Sequence, residues 1–484
     1  MRYDKTSPED IERYGQRLVG STLRHRIESG DGQVADAPTT ISGSSKASFG
    51  TVLEQQFYRI NPGNASGVPD FPDAGVELKS TGLVEAKGAW EAKERLSLNL
   101  INYQQEGLVT DFEASSFVKK NQILMIVGYR YDNAKPVLDL KVLCAGLIRF
   151  NQLSKADQAV IREDWQYINQ MIRQRRAHEL SERNTRYLGA GTKASKSSDR
   201  RPQMEGGERA KPRAYTFKKG FATYLVRTLL RRHEEDAANN ALPDSFEGAF
   251  ENEILGRLEA HVGRFVADIC ATLDEEPPSS AKNFNAWLSR RMLGVRGNRI
   301  AEFEKADIVA KTIHLNARGK PRESMSFPAI RFERLVSEVW ESDTTATEDQ
   351  APADFRENLD KRFLFVVFQG DRKDRAKSRF VGAFFWSMPS EQLDGEVHRV
   401  WQVMKNAVAS SDPARFPREG ESAIAHVRPH ARNKKDVDTL PDGSTTTKRC
   451  FWLNRSYIAA LVKAHLQPAT AKPSPTPTTP APPH

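Results

Sequence analysis

The order of segments in this chain repeats once, and the repeat limits the possible folds more than any single residue does. Four features of the first half return in the same order in the second half: Lys79 as Lys311, Glu91 as Glu323, Trp165-Gln166 as Trp401-Gln402, and residues 211–226 as residues 446–462. The separation of Lys79 from Glu91 is 12 residues, the same as that of Lys311 from Glu323. Matches that keep a shared order indicate a duplicated domain.

Hydrophobic periodicity predicts alternating helices and strands in both halves. Helices are expected from Pro8, capped by Ser7, and at residues 45–59, 155–183, 218–232, 245–273, 282–293, 390–410 and 454–466. Strands are expected at residues 75–80, 96–101, 122–131, 137–150, 307–313, 362–369 and 380–388. The predicted fold class is therefore α/β, with two tandem domains that each carry a mixed sheet flanked by helices.

Composition marks the predicted domain boundaries. Residues 1–233 and 245–466 are expected to form the two domains, joined by a linker at residues 234–244 (EEDAANNALPD). The segments 189–213 and 426–449 are predicted to be basic loops. Residues 467–484 are rich in Pro and Thr and are expected to be a disordered tail.

The segment Pro69–Lys79 (PDFPDAGVELK) carries the chemistry. On a strand, Glu77 and Lys79 point to the same face, and Asp70 precedes them as a second carboxylate. Mg²⁺ prefers hard oxygen ligands, and a lysine beside it can orient a water and offset developing charge. The segment thus predicts a phosphodiester-hydrolysing site with Asp70, Glu77 and Lys79 catalytic and Asp70 and Glu77 on the metal. A surface Glu–Lys pair at a strand edge is the alternative, because short motifs arise by chance.

Glu54, in the segment FGTVLEQQF one helical turn after Gly50, is a further candidate metal ligand. The small Gly50 would let this helix approach the sheet closely. The alternative is an exposed helix glutamate.

The charge balance suits a polyanionic partner, since 72 Lys and Arg face 63 Asp and Glu, for a net charge of +9. Candidate phosphate or base contacts from this excess are Lys93, Arg95, Lys119, Lys120, Lys193, Arg428, His430 and Arg432. Lys193 lies on a glycine-rich loop, and the last three lie in the second basic loop. Plain surface solvation remains the alternative for each of them.

Three widely spaced cysteines, Cys144, Cys270 and Cys450, show no disulfide or zinc spacing. The N-terminal residues lack the apolar core of a signal peptide, and no apolar run reaches the length of a membrane span. These features predict a cytoplasmic protein without membrane contact.

Several segments together resemble the MutH family, whose members act at GATC: PDFPDAGVELKST, AKERLSLNLINY, REDWQYINQMI, RYLGAGTKAS and YTFKKGFATYL. The two-domain layout is similar to the Sau-type GATC restriction endonucleases of that family. The resemblance covers nearly the whole chain to about residue 466. It implies restriction-endonuclease-like domains, a PD-(D/E)xK site, Mg²⁺ and GATC-containing double-stranded DNA as substrate.

The resemblance also assigns roles to individual residues. It places Asp70, Glu77 and Lys79 in the PD-(D/E)xK site and matches Glu54 to a further helix carboxylate. A family loop of the form Arg-Pro-Lys aligns with residues 191–193, which adds Thr192 to Lys193 as a DNA contact although the arginine is absent. A family aromatic near the same groove aligns with Tyr215.

The second half departs from this pattern at the catalytic positions. Aligned on Lys311, Val309 stands in place of Glu77, Leu288 in place of Glu54, and Glu302 near the place of Asp70. One acid and one lysine make a poor Mg²⁺ site. The resemblance implies that such a copy binds a second GATC site without cutting it and promotes cleavage.

The favoured prediction is a type II restriction endonuclease that is a monomer in solution. Because GATC is palindromic, one cutting domain per chain implies either DNA-dependent pairing of two chains or sequential nicking. The first alternative is a strand-nicking endonuclease of mismatch repair, against which the second half argues. The second alternative is a non-catalytic DNA-binding regulator, against which the intact set of Asp70, Glu77 and Lys79 argues.

Overall fold

The structure is a computed structural model of the 484-residue chain. It describes residues 3–31, 49–60, 67–86, 88–193, 198–230, 237–275, 283–340, 351–370, 377–433 and 435–466. The predicted tail at residues 467–484 lies outside the described residues.

Sixteen α-helices are present in the described ranges. They are α1 (Pro8–Gln16), α2 (Leu23–Arg26), α3 (Phe49–Val52), α4 (Tyr103–Glu106), α5 (Ser116–Asn121), α6 (Lys155–Arg173), α7 (Lys219–Leu229), α8 (Phe250–Glu259), α9 (Val266–Leu273), α10 (Phe284–Met292), α11 (Ala301–Lys305), α12 (Phe332–Ser337), α13 (Asp354–Leu359), α14 (Ser390–Gln392), α15 (His398–Ala409) and α16 (Arg455–Leu466). A π-helical segment, Leu53–Tyr58, continues α3.

Seventeen strands are present in the same ranges. They are β1 (Val76–Ala86), β2 (Ala89–Ala92), β3 (Leu96–Leu100), β4 (Ile123–Arg130), β5 (Val142–Arg149), β6 (Leu188–Thr192), β7 (Arg213–Phe217), β8 (Ile308–Leu315), β9 (Met325–Ala329), β10 (Glu338–Val339), β11 (Ala351–Pro352), β12 (Arg362–Gln369), β13 (Arg379–Trp386), β14 (Ala425–Pro429), β15 (Val437–Thr439), β16 (Thr445–Thr447) and β17 (Arg449–Leu453).

Local capping explains where the main helices begin. The Ser7 side chain accepts a hydrogen bond from the Asp10 N–H, and Pro8 occupies the first turn of α1, as predicted. The Ser154 side chain caps α6 in the same way, through the Asp157 N–H. Helix α6 ends at Arg173 rather than at the predicted residue 183, and Arg175 then adopts a left-handed backbone conformation (φ 61°) that turns the chain away.

The described residues of the first half form two sheets. Its larger sheet has the order β2-β1-β4-β5, with β1 parallel to β4 and antiparallel to β2. A core on one side of this sheet joins α1 to β1 and β4 through Ile11, Tyr14, Val76, Leu78 and Met125. The central position of β1 places the predicted catalytic strand between two neighbours.

The smaller sheet has the order β3-β7-β6 and includes part of the predicted loop 189–213. Leu188–Thr192 pairs with Arg213–Phe217 instead of forming an irregular loop. The glycines that suggested a loop are needed for close packing: a Cβ at Gly191 would lie 2.8 Å from Thr216 Cγ2 and 3.0 Å from Glu182 Oε1.

The second half repeats this arrangement of strands. One sheet has the order β13-β12-β8, and another has the order β14-β17-β9. In chain order these correspond to β5-β4-β1 and β6-β7-β3 of the first half. The prediction of an α/β fold with two related, restriction-endonuclease-like domains is confirmed.

The chain divides into two compact units that are not contiguous in sequence. One comprises Met1–Arg257, Trp287–Val309 and Ser337–Phe363, and the other comprises Leu258–Ala286, Ala310–Val336 and Leu364–His484. Within the first unit, the Glu302 carboxylate accepts the N–H groups of Ala241 and Leu242, which lie in the predicted linker. The boundaries at 1–233, 234–244 and 245–466 therefore stay a prediction about the duplicated sequence units.

Candidate active site

A tight backbone turn brings Asp70 beside strand β1. Phe71 and Val76 exchange two backbone hydrogen bonds of 2.9 and 3.2 Å, and Gly75 closes the turn with φ 64°. The turn sets the Asp70 Oδ2 atom 2.9 Å from the Leu78 N–H, which donates to it. The two predicted carboxylates are therefore neighbours because of this turn, although seven positions separate them in sequence.

Glu77 is the centre of the site and is almost completely buried, with 2% of its side chain exposed. Its Oε2 atom accepts the Asp70 N–H at 3.1 Å. Its Oε1 atom lies 2.5 Å from Lys79 Nζ and 3.4 Å from Lys120 Nζ. One buried carboxylate thus holds two ammonium groups and the backbone of the Asp70 turn.

Burial raises the pKa of Glu77, Lys79 opposes that rise, and the Asp70 carboxylate adds to it. The pKa of Glu54 is also raised, first by burial and then by the Asp70 carboxylate, against the opposing charge of Lys79. Glu54 therefore interacts with the same group of charges as the predicted catalytic residues. A concentration of negative charge at partly desolvated carboxylates is typical of a cation-binding or catalytic site.

Helix α5 distinguishes between the two adjacent lysines that the sequence could not separate. The Ser115 hydroxyl caps α5 by accepting the Val118 N–H. Lys120, in the last turn, then faces Glu77, with only 15% of its side chain exposed. Lys119 is exposed to solvent. Only Lys120 of this pair belongs to the site.

Arg95 and Lys93 have protein partners outside the group of charges around Glu77. Arg95 forms an ion pair of 2.7 Å with Glu182 and lies 3.5 Å from the Thr192 carbonyl oxygen. The Lys93 ammonium lies 3.6 Å from the centre of the Tyr131 ring, a cation–π contact. Both side chains keep exposed surface, so they can still meet an anion.

Thr192 and Lys193 lie where β6 ends. Thr192 pairs with Arg213, and the Lys193 N–H donates to the Pro212 carbonyl, so the backbone is held while the Lys193 side chain is exposed. Lys193 therefore presents a basic side chain from a hydrogen-bonded backbone at the edge of the smaller sheet.

Comparison of the chain with known proteins identifies its family. A family model described as the DNA mismatch repair enzyme MutH matches residues 58–164, which contain Asp70, Glu77, Lys79 and Lys120. The chain is 30% identical to the type II restriction enzyme Sau3AI of Staphylococcus aureus, over 87% of this chain and 93% of that enzyme. The chain belongs to the MutH family. Because the similarity to Sau3AI runs through both halves, it is a Sau3AI-like restriction endonuclease of that family.

Other MutH-family relatives align with about one half of the chain. The DNA mismatch repair proteins MutH of Enterobacter sp. (strain 638) and Pasteurella multocida (strain Pm70) are 24% and 23% identical to it. Each alignment covers 45% of this chain but 93% and 96% of the relative. These repair proteins therefore match less than half of this chain, whereas Sau3AI matches most of it.

Tyr215 does not lie where the family resemblance suggested. Its side chain is fully buried, and its hydroxyl donates to the Glu106 carboxylate at 3.0 Å. The Phe117 ring of α5 packs against it, with ring centres 5.7 Å apart. The structure thus contradicts a direct DNA contact by Tyr215, because β7 turns this side chain into the core.

In the second unit, the three predicted DNA-contact residues lie together around a pocket of about 690 Å³. Arg428 stacks over the Trp452 ring at 3.8 Å, and His430 meets the same ring edge-on, with ring centres 5.6 Å apart. Arg432 is exposed at the rim. The basic loop predicted at 426–449 is in fact built on β14, the β15–β16 hairpin and β17, so its charges are held in place.

The second half has no copy of the Glu77 carboxylate on its corresponding strand. Val309 and Lys311 lie on β8, and Leu288 is a fully buried residue of α10. Glu302, aligned near Asp70, lies on α11 and is buried at 5% exposure. Burial raises the pKa of Glu302, against the hydrogen bonds from Ala241 and Leu242, so its environment is that of a structural carboxylate.

Two further findings concern the described ranges only. Within them, no helix is long and apolar enough to cross a bilayer. No three His, Cys, Asp or Glu side chains in those ranges are arranged as a ready-made metal site.

No pattern in the sequence pointed to Glu182. Its pKa stays below its ordinary value because Arg95 and the Thr216 hydroxyl outweigh the effect of burial.

Proposed function

We propose that this chain is a type II restriction endonuclease that hydrolyses phosphodiester bonds of double-stranded DNA at GATC. The observation that carries the proposal is the buried Glu77 carboxylate, which joins Asp70, Lys79 and Lys120 inside the MutH-matched region. Sau3AI-like similarity through both halves supports double-strand restriction rather than repair.

The residues present suit Mg²⁺ as a cofactor. Asp70, Glu77 and Glu54 offer only carboxylate oxygens, and their mutual repulsion contributes to the raised pKa values of Glu54 and Glu77. A bound divalent cation would relieve that repulsion and polarise the scissile phosphate. Because Mg²⁺ keeps several water ligands and readily accepts phosphate oxygens, a protein site of two or three carboxylates is sufficient.

The lysines supply the remaining chemistry in this proposal. Lys79, held at 2.5 Å by Glu77, orients the attacking water and donates toward charge that develops at the phosphate. Lys120 shares the same carboxylate oxygen and adds a second positive charge on that side. Lys93, Arg95, Thr192 and Lys193 hold the flanking DNA, with phosphate contacts positioning the duplex and base contacts specifying it.

In this proposal the second domain, residues 245–466, binds a second GATC without cutting it. Val309 and Lys311 cannot replace the pair of Glu77 and Lys79 as metal-binding and charge-stabilising groups. Arg428, His430 and Arg432 supply the DNA contacts there. With one cutting centre per chain, a monomer would pair on DNA or nick the two strands in turn.

A strand-nicking activity of mismatch-repair type is the second candidate. It is favoured by the match of residues 58–164 to the MutH model and by the repair proteins that align with half of the chain. Those relatives cover only 45% of this chain, and the presence of a second MutH-like half favours restriction instead.

Digestion of plasmid with Mg²⁺ tests the two candidates together. We expect linear double-strand products with all ends at GATC, and no product when EDTA replaces Mg²⁺. Sequencing of the fragment ends identifies the site. Accumulation of nicked circles alone would support the repair-type activity, and absence of any strand cut in Mg²⁺ or Mn²⁺ would overturn both.

The adjacent lysines of α5 provide a matched pair of variants. We expect Lys120→Ala to lower the single-turnover cleavage rate about 100-fold, because it removes a positive charge beside Glu77. Lys119→Ala should change that rate little, since its side chain faces solvent. Equal rates for the two variants would remove Lys120 from the site.

A further inference from the structure

The pocket of the second unit contains an acid among its basic groups. Its lining includes Arg428, His430, Arg432 and Lys448, but also Asp436. The Asp436 carboxylate lies 2.8 Å from Lys448 Nζ and accepts the Arg432 N–H at 3.0 Å. These bonds hold the pKa of Asp436 below its ordinary value, so it carries a full negative charge at neutral pH.

The backbone fixes this acid relative to the bases. The His430 N–H donates to the Lys448 carbonyl at 2.9 Å, and the Lys448 N–H donates to the Asp436 carbonyl at 3.2 Å. Arg428 is held from the other side by the face of Trp452. The pocket therefore presents its donors and the Asp436 carboxylate at set positions.

A site for phosphate alone does not explain this arrangement. Phosphate oxygens only accept hydrogen bonds, so a carboxylate in the pocket would repel them. A ligand that binds favourably to Asp436 must present a hydrogen-bond donor next to its own hydrogen-bond acceptors. In the major groove, base pairs are such ligands.

The spacing of the Lys448–Asp436 pair matches a base-pair edge. On the major-groove edge of a base pair, one base presents an acceptor next to a donor of the other base. These two groups are hydrogen-bonded to each other, at about 2.9 Å. Lys448 and Asp436 present the complementary donor and acceptor 2.8 Å apart. A G·C pair fits better than an A·T pair, because guanine N7 and O6 are adjacent acceptors and the pocket offers several donors beside Asp436.

We propose that this pocket reads one G·C base pair in the major groove, with Asp436 accepting from the cytosine N4 amino group and Lys448 and Arg428 donating to guanine. The inference rests on the proposed DNA binding by the second unit. It adds Asp436, Lys448 and Trp452 to that site and gives the pair that they read.

The test uses the full chain with Glu77→Ala, so that DNA is bound without being cut. Native mass spectrometry counts duplexes per chain, and titration calorimetry gives the affinity of each binding event. The probe duplexes carry GATC with either cytosine or 2-pyrimidinone, which lacks the N4 amino group. We expect 2-pyrimidinone to weaken the second-unit event about tenfold.

Two variants of the Lys448–Asp436 ion pair distinguish base recognition from a purely structural role of that pair. Adding Asp436→Ala should abolish the sensitivity to 2-pyrimidinone, whereas adding Lys448→Ala should lower affinity for both duplexes and keep the sensitivity. Identical behaviour of the two variants would reduce the pair to a structural ion pair and overturn the inference. Unchanged melting curves would confirm that both variants are folded.

The remaining outcomes are also decisive. Tighter binding of every duplex by Asp436→Ala would show a phosphate site that the acid merely weakens, and would overturn base recognition. Sensitivity to removal of the adenine N6 amino group in place of cytosine N4 would assign an A·T pair and overturn the G·C proposal. A chain that binds only one duplex would refute the proposed second DNA site itself, which is a distinguishable failure.

Discussion

Replacement of Glu77 by alanine is expected to lower the rate of DNA cleavage by about a thousandfold or more while DNA binding is retained. The Glu77 carboxylate contacts the Asp70 backbone, Lys79 and Lys120 together. Its loss removes a carboxylate from the proposed cation-binding set and releases the two ammonium groups from their positions. Single-turnover cleavage of a GATC duplex and equilibrium binding of the same duplex measure the two effects.

Asp73→Ala is the matched control for this experiment, because Asp73 belongs to the same turn but is exposed. It should cleave at close to the unmodified rate. Glu77→Gln keeps the size of the buried side chain and should also be inactive, which separates the charge from the packing. Cleavage by Glu77→Gln at the unmodified rate would show that this carboxylate is not catalytic.

Replacement of Asp164 by alanine is expected to have the largest effect on stability, a loss of roughly 3 kcal/mol in the free energy of unfolding of the first unit. Asp164 is completely buried on α6 and accepts the N–H groups of Arg186, Tyr187 and Leu188 at 2.8, 2.6 and 2.9 Å. Alanine would leave these donors unsatisfied and would remove a partner of the Arg186 guanidinium.

Urea denaturation measures this loss, and hydrogen exchange of the Tyr187 and Leu188 amides locates it. Glu179→Ala removes a carboxylate from an exposed ion pair with Arg176 and should leave stability almost unchanged. Because Asp164 supports the start of β6, its replacement should also weaken the proposed DNA contact of Lys193, which follows the other end of that strand. Equal stability of Asp164→Ala and Glu179→Ala would mean that the buried hydrogen bonds contribute little.

Much of the fold could be predicted from sequence, because hydrophobic periodicity and capping are local. Arg362–Gln369 is a strand with the predicted bounds, and α1 begins at Pro8 under the Ser7 cap. The secondary-structure predictions were wrong where tertiary packing, rather than the local sequence, determines why a residue type is present. Gly191 suggested a loop, yet glycine is required there because β6 lies against Thr216 and Glu182.

The candidate site shows the same division. The alternation of Glu77 and Lys79 along a strand predicted that both face one side, and they are in contact at 2.5 Å. The sequence could not choose between Lys119 and Lys120, because the choice depends on how α5 is rotated against β1. It also suggested Tyr215 as a DNA contact, but the burial of a side chain on β7 depends on which elements cover that strand.

By itself, the sequence determined that the chain is a duplicated α/β protein with a candidate Asp-Glu-Lys site in its first half, since order, periodicity and spacing are properties of the chain. Only the tertiary structure decided that Lys120 contacts Glu77 and that Asp436 lies among the basic residues of the second unit. These decisions depend on contacts between strands and helices that are distant in sequence. Such contacts form because burial of the intervening apolar residues brings the elements together.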